Sequence, residues 1–229
     1  MQDLYKLSLG ALAQPGGGVA FTVWAPHAAQ VAVKLLGKRP RSFPMQRGAD
    51  GTFTAVIAEA RPGTEYFYVL DGDRDRPDPA SRAQPRGVHG PSQVVAPPAF
   101  ADASWRGLPL HEYVIYELHI GTFTPEGTFA AAIAKLPYLR ALGITAVEIM
   151  PVAAFPGTRN WGYDGVALFA PQASYGGLQG LCELVAACHR HGLACILDVV
   201  YNHLGPEGNY LPEFAPYFSP HYRTAWGEA

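Results

Sequence analysis

The sequence predicts an all-β sandwich followed by a parallel α/β unit, and two changes of residue pattern carry that prediction. Over roughly the first hundred residues, short runs of alternating β-branched and aromatic side chains are bounded by Gly, Pro and Asp clusters, as in half-buried antiparallel strands. After Tyr113, strand-like and helix-like runs alternate, as in parallel strands joined by helical crossovers.

The sandwich strands are read at Val19 to Trp24, Gln30 to Leu36, Gly51 to Ile57 and Glu65 to Leu70. Trp24, at the end of the first, is expected in the core. From Asp71 to Pro98 the periodicity vanishes into a proline-rich stretch, where each ring removes a backbone donor and steers the preceding residue away from helix. A stretch of that length without regular structure is uncommon inside a compact domain, so it reads as a linker or a segment wrapped over something.

Val114 to Ile120 reads as a buried parallel strand. Phe129, Ile133, Leu136, Leu139 and Leu142 then recur at helical spacing, with Thr128 as N-cap and Gly143 as stop. Pro137 inside that pattern predicts a kink or two short helices, because it deletes a backbone hydrogen bond. Ala146 to Val152 is a second strand, and Ala194 to Val200 a third. Between them Leu178 to His191 forms an amphipathic helix with Leu178, Leu181, Val185 and Cys188 on its apolar side. Periodicity alone does not choose between an open doubly wound sheet and the start of an eight-stranded barrel. Gly121 and Gly127 lack the spacing of a dinucleotide-binding fingerprint, which takes support from the open sheet.

Composition sets outer limits on function. The chain has 229 residues, nearly half of them apolar, which suits one large globular domain or two smaller ones. A formal net charge of -2 without any basic block offers no footprint for nucleic acid and no attraction to an anionic membrane, so a neutral partner is expected. The first residues lack the pattern of a secretory signal, and no apolar stretch approaches the ~20 residues of a spanning helix. Cys182, Cys188 and Cys195 are odd in number and carry no metal-ligand spacing, which fits reduced thiols in a cytoplasmic protein.

Side chains that do chemistry in an α/β barrel gather where strands end. Three such ends stand out: His119 with the loop GTFTPEGTF, the long loop from Ala153 to Gly177, and Asp198, Asn202 and His203 in DVVYNH. A polar cluster leaving the apolar run ACIL costs desolvation unless partnered, so it is either a buried hydrogen-bond network or a binding site. Trp161 and Tyr163 sit together in the long loop, where an exposed tryptophan would suit the apolar face of a sugar.

The hexapeptide DVVYNH resembles the first signature region of glycoside hydrolase family 13, the α-amylase family. FTVWAP, PDPASRAQPRGVHGPS, VIYELHIGTFTPEGTF and RNWGYDGVALFAP occur in the order found in the branch of that family holding trehalohydrolases and branching enzymes. GTFTPEGTF and KLPYLRALG are more similar to the trehalohydrolases. The resemblance implies an immunoglobulin-like β-sandwich over 1–98, a starch-binding-type module plus linker. It implies that 99–229 form the first part of a (β/α)8 TIM barrel, incomplete at about three βα units. The implied partner is an α-glucan or maltooligosyltrehalose, with no cofactor and no metal.

The resemblance also implies roles. Tyr163 would stack on the sugar at the cleaved position, and His203 would hydrogen-bond that sugar's primary hydroxyl. Asp198 would be a supporting carboxylate, Trp161 a lining residue, and Asn202 an amide that fixes its loop. Retaining glycosidases need two carboxyl groups ~5 Å apart, which in this family arrive on the fourth and fifth barrel strands. They are expected beyond Ala229, and the chain alone is expected to be inactive, with a stable sandwich and a poorly stable part-barrel. A glycogen branching or debranching enzyme and a non-catalytic glucan-binding protein remain the alternatives.

Overall fold

The computed structural model describes residues 8–96, 104–219, 221–224 and 227–228. Nine strands come first: β1 (Gly10–Ala13), β2 (Val19–Trp24), β3 (Val31–Leu35), β4 (Arg41–Pro44), β5 (Gln46–Arg47), β6 (Thr52–Ile57), β7 (Glu65–Leu70), β8 (Arg74–Arg76) and β9 (Ser92–Gln93). They form two antiparallel sheets, one ordered β1-β2-β6-β5 and the other β4-β3-β7-β8, with β9 also on β7. Strict alternation on β2 and β3 turns Val19, Phe21, Val23, Val31, Val33 and Leu35 inward, as period-two patterning requires. Between the sheets the Phe21 ring meets Tyr66 edge-on at 4.9 Å.

The same alternation corrects the expectation for Trp24. Its neighbour Val23 takes the inward position, so Trp24 sits half-buried at the margin, donating from Nε1 to the Asp50 carbonyl at 3.1 Å. The strand at Arg41–Pro44 was not read from the sequence, because its exposed, charged, proline-ended residues carry no alternating apolar signal.

Asp71 to Pro98 proves to be wrapped over the sandwich through its described residues, with β8 and β9 both paired to β7. It carries a buried polar chain. Tyr66 Oη donates to Asp78 Oδ2 at 2.6 Å, the Asp78 amide donates to Ser92 Oγ at 2.9 Å, and Ser92 donates to Gln84 at 2.9 Å. Burial pushes the Asp78 carboxyl up to about 6 against the bonds that oppose it.

The chain forms two compact units. One comprises Met1–Ala96 and Asn209–Ala229, the other Pro97–Gly208. In the first, helix residues Leu211 to Phe214 deliver Phe214 and Ala215, both fully buried, into the sandwich core. The His27 amide donates to the Phe214 carbonyl at 3.2 Å, and Arg76 Nε donates to Glu213 at 2.7 Å. The sandwich is therefore completed by side chains far along the sequence.

The second unit holds β10 (Ile115–Leu118), the short helices α1 (Ile120–Phe123), α2 (Phe129–Ile133) and α3 (Leu136–Ala141), β11 (Ala146–Ile149), a hairpin of β12 (Ala153–Ala154) and β13 (Ala167–Pro171), helix α4 (Gly177–Arg190) and β14 (Ala194–Leu197). The three main strands are parallel in the order β10-β11-β14, with Glu117 beside Glu148 and Glu148 beside Ile196. Two crossovers link these strands, and from Asn209 the residues after β14 belong to the first unit. Pro137 starts α3 and separates it from α2, while Thr128 Oγ1 caps α2 by accepting from the Ala131 amide at 3.2 Å.

Helix α4 differs from its sequence reading by a rotation of its apolar stripe. Leu184, Ala187 and Cys188 are the buried positions, with Leu181 packed beside them, while Leu178 and Val185 are only partly covered. The rows i, i+3 and i+4 fit both sets. Phe129 against Gly180 decides, since a Cβ there would lie 3.0 Å from the Phe129 ring.

Candidate functional site

Because β10, β11 and β14 run parallel, the residues that follow them emerge at one end of the sheet. The Asp198 amide continues the ladder by donating to the Ile149 carbonyl at 2.9 Å, which fixes that residue just beyond β14. Tyr163 Oη donates to Asp198 Oδ2 at 2.9 Å. That bond, then burial, then the charges of Asp198, Glu117 and Glu148 raise the Tyr163 phenol above its ordinary pKa. Tyr163 is thus a neutral phenol with a pinned hydroxyl, and the residue is 41% exposed.

His203 and Asn202 reach the same loop. A carbonyl oxygen can only accept, so His203 Nε2 carries the hydrogen donated to the Tyr163 carbonyl at 2.7 Å. Asn202 Nδ2 donates to His203 Nδ1 at 3.0 Å. Both ring nitrogens are thereby engaged by the protein, and His203 clamps the backbone of Tyr163. A sugar hydroxyl would have to displace one of these bonds. The Gly205 amide adds a bond to the Gly165 carbonyl at 3.1 Å, where a Cβ would stand 2.3 Å from the Asp164 carbonyl oxygen.

Trp161 lies two residues before Tyr163 and is 63% exposed. Its turn is set by Asn160, whose Oδ1 accepts from the Gly162 amide at 2.7 Å and whose Nδ2 donates to Asp164 at 3.1 Å. Gly162 has φ of +100°, and a Cβ on it would lie 2.2 Å from the Pro151 carbonyl oxygen, so only glycine fits. The expected residues Trp161, Tyr163, Asp198, Asn202 and His203 therefore meet through two strand-end segments, the loop after β11 and the segment after β14. A groove of about 230 Å³ beside them is lined by Pro151, Gly162, Leu197, Asp198 and Tyr201.

His119 is the residue the sequence left without a role, although its position directly after β10 was a usable signal. It is 8% exposed, with Nε2 at 2.7 Å from the Asn160 carbonyl and 3.1 Å from Tyr175 Oη. Chemically the site offers two exposed aromatic faces beside carboxylates, which suits a neutral polyhydroxylated ring better than an anion. Among the described residues no group of three or more His, Cys, Asp or Glu side chains could hold a metal ion.

Comparison with known proteins agrees with this geometry. The model of the alpha amylase catalytic domain matches residues 93–223, and that of carbohydrate-binding module 48, the isoamylase N-terminal domain, matches 8–98. A malto-oligosyltrehalose trehalohydrolase of Saccharolobus solfataricus is 52% identical over 92% of this chain and 37% of its own length. A 1,4-alpha-glucan branching enzyme of Xanthomonas campestris is 33% identical over 86% of this chain and 30% of its own. A crystal structure from Salmonella typhimurium, assigned by inference to alpha amylase, superposes with a TM-score of 0.92 at 48% identity, covering 98% of this chain and 38% of that one. The chain thus spans between 30% and 38% of the length of these relatives.

Proposed function

The chain belongs to the α-amylase family, and from that premise we propose that the protein is a maltooligosyltrehalose trehalohydrolase. It hydrolyses the α-1,4 bond next to the terminal trehalose by a retaining double displacement, releasing trehalose and a shortened maltooligosaccharide. The observation that supports this reading is the pairing of Tyr163 with Asp198 beside exposed Trp161 at the strand ends. The neutral Tyr163 ring offers its face to the C–H side of a glucosyl unit, and Asp198 holds that ring in place. His203 and Asn202 fix the backbone beneath it, with His203 reaching the sugar's primary hydroxyl on exchange of one bond.

In this reading the nucleophile and general acid come from strands after β14, in the part of the relatives that this chain does not span. Residues 1–98, completed by Phe214 and Ala215, serve as the starch-binding-type module, and the strand ends of the second unit contribute part of the barrel's sugar-binding floor. The three thiols are free, which suits the reducing cytoplasm. Among the described residues no helix is long and apolar enough to cross a membrane. Sequence identities of 44–52% to trehalohydrolases, against 33% to the branching enzyme, favour trehalose release over glucan transfer.

The test is product analysis with the full-length gene product. Given maltooligosyltrehalose and a linear maltooligosaccharide of equal length, it should release trehalose from the first at least ~10-fold faster than it cleaves the second, a difference of about 1.4 kcal/mol at the transition state. Equal rates, or new α-1,6 branches, would overturn the assignment.

A further inference from the structure

Trp161 has an exposed face, yet an indole on a loop is a useful sugar surface only if its plane is fixed before the sugar arrives. The loop's own hydrogen bonds fix the backbone around Gly162, not the indole. What faces the indole is His119. The two ring centroids are 5.0 Å apart at 59°, so Trp161 leans on the imidazole with one side while the rest stays open.

The imidazole is itself immobilised from every direction. Nε2 lies at 2.7 Å from the Asn160 carbonyl, which can only accept, so this nitrogen is the donor. Nδ1 is left to meet Thr122 Oγ1 at 3.1 Å. Tyr175 presents its ring edge-on at 6.0 Å and its hydroxyl at 3.1 Å from Nε2. Burial pushes the Tyr175 phenol up to about 12, so it stays a neutral partner. Gly121 makes room for this arrangement, because a Cβ there would stand 2.9 Å from His119 Cε1 and 3.0 Å from Tyr175 Oη. With both nitrogens engaged and little surface exposed, His119 is badly placed to touch a substrate. It is well placed to hold one residue that does.

We propose that His119 is a positioning residue that fixes the Trp161 indole as a second stacking surface for a glucosyl ring, beside the one offered by Tyr163. It acts through two contacts: the bond to the Asn160 carbonyl, which holds the peptide entering Trp161, and the imidazole face against the indole. This rests on the glucan-binding reading of the strand ends, and it adds a residue and a mechanism to that reading. A histidine that merely filled the core would affect stability without any specific coupling to Trp161.

The experiment is a double-mutant cycle on the full-length protein with maltooligosyltrehalose, using His119→Ala, Trp161→Phe and both together. Loss of the fixed platform should raise KM about fivefold to tenfold while kcat changes less than twofold, and the double variant should be no worse than the worse single one. His119→Gln, whose amide can still donate to the Asn160 carbonyl but offers no ring, should fall between wild type and His119→Ala. It also supplies a second variant if the alanine protein folds poorly.

A readout free of sugar and of catalysis runs in parallel on the 229-residue chain. The Trp161 emission, obtained by subtracting the Trp161→Phe spectrum, should shift to the red and become more open to iodide quenching in His119→Ala. Additive effects on KM, a loss confined to kcat, or an unchanged Trp161 emission would overturn the inference. If the full-length wild type fails to release trehalose while the emission shift is observed, the proposed activity falls and the platform geometry stands.

Discussion

In the sandwich Phe21 and Phe53 of one sheet and Tyr66 and Tyr68 of the other point inward and are almost fully buried between the sheets. In the parallel unit only one sheet face is covered. Leu118, Val147 and Ile149 pack under the helices, while Ile115 and Glu117 on β10 remain exposed. The sandwich thus has a closed core and places its polar chain of Asp78, Ser92 and Gln84 inside it, whereas the parallel unit leaves its polar groups at strand ends facing outward.

The sharpest way to break that contrast is Phe214→Ala. A fully buried phenylalanine reduced to alanine costs about 3–5 kcal/mol, and Phe214 lies in the sandwich core although it is distant in sequence. Urea unfolding of the chain should show the sandwich transition moving to lower denaturant while the transition reported by Trp161 in the parallel unit holds. An unchanged sandwich midpoint would show that residues 209–217 do not complete that core.

Asp78 gives the next effect. Its carboxyl is raised from 3.8 to about 6 by burial, so the folded chain binds a proton there more tightly than the unfolded chain does. Its contribution is fully present below the unfolded pKa and is lost as pH rises through the folded one, up to about 3 kcal/mol in all. The stability difference between wild type and Asp78→Asn should therefore change between about pH 4 and pH 6 and be flat above about pH 7. A difference that is flat throughout would remove Asp78 from the account. Thr128→Ala is the smallest change, with the loss of its cap on α2 costing about 1 kcal/mol. That loss should appear in the transition of the parallel unit alone.

These variants also mark what was legible in the sequence. Val19–Trp24 and Glu65–Leu70 were read with their observed bounds, because β-branched and aromatic alternation is a local signal. The Thr128 cap and the break at Pro137 were equally local. The place of Phe214 in the sandwich was not legible, since LPEF is short and nothing within it points to a partner so far back along the chain. The same limit applies to the site. Its motifs identified Tyr163, Asp198 and His203 separately, but the bond from Tyr163 to Asp198 and the clamp of His203 on the Tyr163 carbonyl depend on two segments folding together.

The central claim is that glucan is held at the strand ends of the parallel unit. Affinity electrophoresis of the 229-residue chain through a glycogen gel tests it most directly, with Tyr163→Ala and Trp161→Ala run beside the wild type. The account predicts that glycogen retards the wild type and that each substitution weakens the retardation while leaving the sandwich's unfolding midpoint unchanged. Retardation that neither substitution weakens, or a wild type that glycogen does not slow, would contradict it.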